Sequence, residues 1–129
     1  MFSHITLGTN DFPKAMAFYD TMLAPLGSLR QLTIEEYSFA ACGPEEQPPQ
    51  FFIGAPFDEE SATAGNGTHI ALLAPNRAAV GGLHDAALAE GRSDEGTPGP
   101  RPHYHEHYYG AYVRDLDGNK IQACCHTPE

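Results

Sequence analysis

The chain has 129 residues, 41% of them apolar and 19% charged: enough for one buried core, and too little charge for a disordered polymer. Seven Lys and Arg against seventeen Asp and Glu leave 7 − 17 = −10, which excludes a concentrated phosphate-binding surface and disfavours an anionic membrane. Neither nucleic acid nor a membrane is expected as a partner. The opening MFSHITLGTND shows no basic or apolar leader, and the apolar runs are too short to span a bilayer. Cys42, Cys124 and Cys125 form neither a secreted disulfide framework nor a CxxC pair, so a reduced, cytoplasmic protein is expected.

In chain order, residues 2–7 alternate as a strand. Asn10 or Asp11 caps a helix with Pro13 in its first turn, running to about Leu23. Phe12, Met16, Tyr19 and Leu23 supply its buried stripe, and Pro25 and Gly27 end it. Strands follow at 29–34, 37–42 and 50–53, the last two separated by a break opening at Gly43-Pro44. The polar, acidic stretch 56–67 reads as a connector. Strand 68–74 is followed by a helix capped by Asn76 and stopped by Gly91, with Val80, Leu83, Ala87 and Leu88 as its apolar stripe. Gly81-Gly82 weakens this helix by roughly 1 kcal/mol per glycine. Residues 96–102 read as a proline-glycine loop. Strands 108–114 and 120–125 form a hairpin around Asp115-Leu116-Asp117-Gly118.

The two halves match when the sequence is shifted by 69 − 4 = 65 residues. His4-Ile5-Thr6-Leu7 falls on His69-Ile70-Ala71-Leu72, then Asp20, Leu23 and Ala24 fall on Asp85, Leu88 and Ala89. The expected fold is α+β: two paired βαβββ modules forming a curved mixed sheet around a cavity. Module one spans 1–55, the connector 56–67 and module two 68–129.

Strand side chains alternate between faces. Ile5, Leu7, Ile70 and Leu72 should pack on the helices, which puts His4, Thr6, His69, Ala71 and Leu73 on the opposite face. An even-length hairpin loop would put Gln122 and Cys124 on one face with Tyr109, Ala111 and Val113; a three-residue loop would break that parity. Equivalent histidines in two repeats, His4 and His69, suit a shared metal, imidazole being a common transition-metal ligand, although two ligands alone make a weak site; the competing reading is two partly exposed strand histidines. His103, His105 and His107 form an HxHxH run that shares one face if extended, or a polar rim loop if not. Arg101 beside it pairs either with a substrate carboxylate or with Glu106. Asp115 to Asn119 lacks the glycine and glutamate positions of a calcium loop and reads as a turn. Cys124 has no adjacent cation and reads as packing.

The paired His-Ile-x-Leu strands, the helix ending Phe18-Tyr19-Asp20 through Leu23-Ala24-Pro25-Leu26-Gly27, and Asp115-Leu116-Asp117-Gly118-Asn119-Lys120-Ile121 resemble the glyoxalase/bleomycin-resistance/extradiol-dioxygenase proteins, the vicinal-oxygen-chelate superfamily. Residues 101–110 resemble a small bacterial glyoxalase-like subgroup. The resemblance implies a homodimer with a divalent metal (zinc, nickel, iron or manganese) between modules. It implies His4, His69 and Gln122 as ligands, Gln122 standing where the family has Glu. A glutamine ligates through its amide oxygen but takes no proton, which disfavours an iron(II) dioxygenase and moves the base to Tyr109 or a rim histidine. Tyr109 and Gln122 are thus the expected catalytic groups. Arg101, His105, His107 and Tyr109 are the expected substrate contacts. The implied reaction is of lactoylglutathione-lyase type: an isomerisation of a small substrate with adjacent oxygens. The alternative is metal-free sequestration of a small aromatic or cationic compound, favoured by the charge of −10 and the tyrosines near 104–112.

Overall fold

A computed structural model describes residues 1–129. Module one contains β1 (Ile5–Gly8), α1 (Phe12–Leu23), β2 (Ser28–Ile34), β3 (Phe39–Pro44) and β4 (Phe51–Gly54). Module two contains β5 (His69–Leu73), α2 (Arg77–Ala89), β6 (Asp94–Pro100), β7 (Tyr109–Arg114) and β8 (Lys120–Cys125). The strands form two four-stranded mixed sheets, ordered β1-β4-β3-β2 and β5-β8-β7-β6. In each, the first and last strands of the module run parallel and the rest antiparallel.

The helices begin where their caps dictate. Asp11 accepts the Lys14 amide at 3.1 Å, and Asn76 accepts that of Ala79 at 2.8 Å. The stripe Phe12, Met16, Tyr19 and Leu23 is buried, as are Ala15, Phe18 and Met22. In α2, Val80, Leu83 and Ala87 are buried, but Leu88 lies at the surface. Ile5, Leu7, Ile70 and Leu72 pack against a single core of 21 buried residues drawn from both modules. A Cβ on Gly82 would sit 2.9 Å from that of Pro25, so this glycine lets α2 approach the end of α1.

Tyr19 donates to Asp115 Oδ2 at 2.5 Å, tying α1 to the β7–β8 loop. Asp115 is buried, and it also accepts the amides of Asp117 and Asn119 and the Asn119 side chain. Burial, then the Asp115 charge, pushes the Tyr19 hydroxyl well above its ordinary pKa. Asn10 fastens the connector by bonding both backbone groups of Ala62, at 2.7 and 3.0 Å.

Two elements depart from the sequence pattern. The expected loop at 96–102 is largely strand β6, because an edge strand needs a ladder partner on one side only and tolerates Pro98 and Pro100. The strand expected from Tyr37 starts at Phe39, because Glu35–Tyr37 forms a 3-10 turn closed by Ser38 at φ 47°.

Candidate functional site

Each sheet turns one face to the helices and leaves the other open. On the open face of module one stand Thr6, Phe52 and Ala41, aligned across β1, β4 and β3. His4, just ahead of β1, stacks on Phe52 with ring centroids 4.5 Å apart and planes at 16°, while its Nδ1 meets Ser3 Oγ at 2.9 Å. On the open face of module two, Ala71 aligns with Gln122 and Gln122 with Tyr112. His69 lies two residues before Ala71, so it shares this face and turns an edge to Tyr112 at 6.1 Å. The modules are equivalent here: Thr6 pairs with Phe52 as Ala71 pairs with Gln122, so phenylalanine in one sheet occupies the place of glutamine in the other.

The hairpin register corrects the expected placement of Tyr109. Arg114 pairs with Lys120, leaving a five-residue loop whose odd length sets even positions opposite even ones. Tyr109 therefore aligns with Cys125 on the helix side, packs against the core and lies under Arg77, whose guanidinium is 4.9 Å from its ring. Ala111 and Val113 are buried on that side too. The tyrosines that do accompany Gln122 are Tyr112 and Tyr108. Gln122 Nε2 donates to the Tyr108 hydroxyl at 2.5 Å, which leaves the amide oxygen as its free acceptor. Gly110 makes room for that amide, since a Cβ there would lie 3.0 Å from Nε2. Burial raises the Tyr108 hydroxyl, with Cys124 adding to it, and raises Tyr112 to about 12, with Tyr104 adding. Both remain protonated donors at neutral pH.

The HxHxH run is not extended. It folds through turns that disperse its rings. His105 Nε2 meets His126 Nδ1 at 2.8 Å while its Nδ1 accepts the His107 amide at 3.1 Å; His107 approaches Glu106 at 3.7 Å. His126 Nε2 lies 3.9 Å from Cys124 Sγ, which shares the face of Gln122. Arg101 does not pair with Glu106. Its guanidinium donates to the carbonyls of Thr97, Gly99 and Pro100 at 2.8 to 3.2 Å, and faces Tyr112 at 5.7 Å.

The three expected metal donors stand on two sheets. His69 and Gln122 share a face on neighbouring strands, but His4 is held against Phe52 on the other sheet. No group of three or more His, Cys, Asp or Glu stands close enough to hold an ion. His69 and Gln122 together offer two neutral donors on that face, fewer than a divalent metal needs without a third ligand.

Sequence reasoning passed over a cavity of about 940 Å³ on module one, between the 35–37 turn and the connector. It is lined by Thr6, Phe39 and Gly54 of the sheet and by Glu36, Tyr37, Phe57, Asp58 and Glu59. The signal was two aromatics beside acidic residues, Tyr37 at the start of an expected strand and Phe57 in the expected connector.

Two sheets of βαβββ topology, packed through their helices and each carrying a histidine on its open face, define the paired-module class. Residues 35–123 match the sequence model of the Glyoxalase/Bleomycin resistance protein/Dioxygenase superfamily. The chain belongs to that superfamily. It is 34% identical to a glyoxalase/bleomycin resistance protein from Albidiferax ferrireducens T118, covering 97% of this chain and 98% of that one at a TM-score of 0.87. A superfamily member from Sphaerobacter thermophilus DSM 20745 shares the fold at 18% identity, with 97% and 96% covered and a TM-score of 0.64. So does the genomically encoded fosfomycin resistance protein FosX of Listeria monocytogenes, at 17% identity, 98% and 93% covered, TM-score 0.68. No curated protein matches the chain. No helix is long and apolar enough to cross a membrane.

Proposed function

We propose that this superfamily member binds a small organic molecule on the open side of its sheets without a metal centre inside the chain. The observation that carries the reading is Phe52. It stacks on His4 at the ladder position where module two has Gln122, so module one offers an aromatic surface in place of a second oxygen donor. Aromatic surface favours burial of apolar ligand area, which metal coordination does not require. The test uses Nile red, a neutral solvatochromic dye, titrated before and after dialysis against EDTA. A blue-shifted emission with unchanged affinity supports the reading. Binding that appears only after zinc or nickel is restored overturns it.

A second reading, a metal-dependent lyase or isomerase, is favoured by His69 and Gln122 sharing one face with the Gln122 amide oxygen free. It requires a homodimer in which a second copy brings its His4 to that face; Leu29, Leu32 and Leu73 are exposed apolar groups available to such contacts. Bound there, a divalent ion would supply Lewis-acid polarisation of two adjacent substrate oxygens. Gln122 would offer it a neutral oxygen, and Tyr108 would hold the amide in that orientation. Gln122→Glu should then raise affinity for Co2+. An unchanged affinity, or none in either protein, counts against this reading.

A further inference from the structure

We infer that Cys124 is a nucleophilic thiol on the open face of module two, placed to add to a small α,β-unsaturated amide or imide. The inference goes beyond the binding reading, which asks for no covalent step. The three cysteines stand in different settings. Cys42 and Cys125 belong to the 21-residue core, where burial pushes the Cys42 thiol up to about 11 and raises Cys125 too. Cys124 is outside that core and shares the open face with Gln122 and Tyr112. Its ladder partners are Gly110 on β7 and the exposed Leu73 on β5.

Two chains of hydrogen bonds end on the Cys124 sulfur. In the first, the His107 amide donates to His105 Nδ1 at 3.1 Å, which leaves the proton of the neutral ring on Nε2. That N–H donates to His126 Nδ1 at 2.8 Å, so the N–H of His126 falls on Nε2, 3.9 Å from Cys124 Sγ. In the second, Gln122 Nε2 donates to the Tyr108 oxygen at 2.5 Å, and the Tyr108 hydroxyl donates to the thiol sulfur. The sulfur is the acceptor at the end of both, an arrangement that suits attack through its lone pair. Beside it, Gln122 is only 1% exposed, and its amide oxygen has no partner. A buried acceptor without a donor calls for one from a ligand. An unsaturated amide or imide supplies that N–H together with an electrophilic carbon. In the addition, Sγ bonds to the β-carbon and the carbon–carbon π pair moves toward the carbonyl. The α-carbon takes a proton from water, replacing the one the thiol releases. Nothing is oxidised or reduced, and no group leaves.

The test treats the full chain, in EDTA, with maleimide or with N-ethylmaleimide, which differ in the imide N–H. Adducts are followed by peptide mass spectrometry, and each rate is divided by that of the same reagent with N-acetylcysteine. Cys124 should be labelled about tenfold or more ahead of Cys42 and Cys125, and maleimide favoured about tenfold over its N-ethyl form, the worth of one buried hydrogen bond. His126→Ala should slow labelling of Cys124 about tenfold with both reagents, and His126→Gln, which keeps an N–H, should recover most of the rate. Gln122→Met should erase the preference for maleimide. Labelling of Cys124 that is no faster than that of Cys125, or that ignores His126→Ala, overturns the assignment of the nucleophile. Equal rates for the two reagents in the wild-type chain, a result that needs no variant to fold, overturn the ligand class. None of these results moves the Nile red affinity, so the binding reading stands or falls separately.

Discussion

The two modules share a topology and differ in what they show to solvent. Equivalent ladder positions carry Phe52 in one and Gln122 in the other, so His4 is stacked on a ring whereas His69 shares its face with an amide and Tyr112. Their helices differ in the same spirit. α1 buries Phe12, Phe18, Tyr19 and Met22, while the buried stripe of α2 is mostly Ala79, Val80, Leu83 and Ala87. The ties from helix to edge strand swap ends: the carboxylate is Asp20 on α1, holding Arg30 of β2 at 2.5 Å, in module one, and Asp94 on β6, held by His84 of α2 at 2.9 Å, in module two. A repeat thus preserves backbone positions without preserving the chemistry placed on them, because the core constrains one face of each sheet and leaves the other free to diverge.

Substitutions in the helices should break the symmetry most. Phe18→Ala should cost about 4 kcal/mol in urea unfolding and Leu83→Ala about 3, since the larger side chain leaves the larger void. A smaller loss in module one would contradict the view that it carries the heavier packing. Tyr19→Phe should cost about 2 kcal/mol, because it deprives the buried Asp115 carboxylate of a donor shared between modules. Asp20→Asn should cost only about 0.5 kcal/mol, the Asp20–Arg30 pair being partly exposed.

The reversed tie in module two has a pH signature. Hydrogen bonds from His84, Thr97 and the Gly96 amide lower Asp94 from 3.8 to about 2. A depressed carboxylate contributes fully above its unfolded value, so its stabilisation is complete above about pH 4 and fades as pH falls through about 2. The stability gap between wild type and Asp94→Asn, followed by thermal melts, should therefore narrow from pH 4 to pH 2. A gap constant over that range would mean that the carboxylate is not held charged by these donors.

Much of the fold was legible because burial leaves periodic marks. The 65-residue repeat, the Asp11 and Asn76 caps and the α1 stripe all correspond to features of the structure. Strand β6 was hidden because its prolines are tolerated only at an edge, and edge status is a tertiary property. The face of Tyr109 turned on the parity of one loop, and a single added residue moves every side chain of β7 to the other side. The HxHxH run gives no periodic signal once it folds into turns, and Arg101 spends its donors on nearby carbonyls that no sequence pattern announces. The position of the module-one cavity was not readable from the chain, because one side of it is the connector, which is fastened by two hydrogen bonds from Asn10, 52 residues away in the sequence.

The central claim is that one chain does not assemble His4, His69 and Gln122 around an ion. Titrating wild type, His4→Ala and His69→Ala with Co2+, with absorption in the visible range as the readout, tests it most directly. No stoichiometric binding in any of the three proteins is predicted. One tightly held cobalt per chain in a monomer, sized by analytical ultracentrifugation, with a ligand-field spectrum lost in both variants, would contradict the claim; the same result in a dimer would instead favour the metal reading that draws His4 from a second copy.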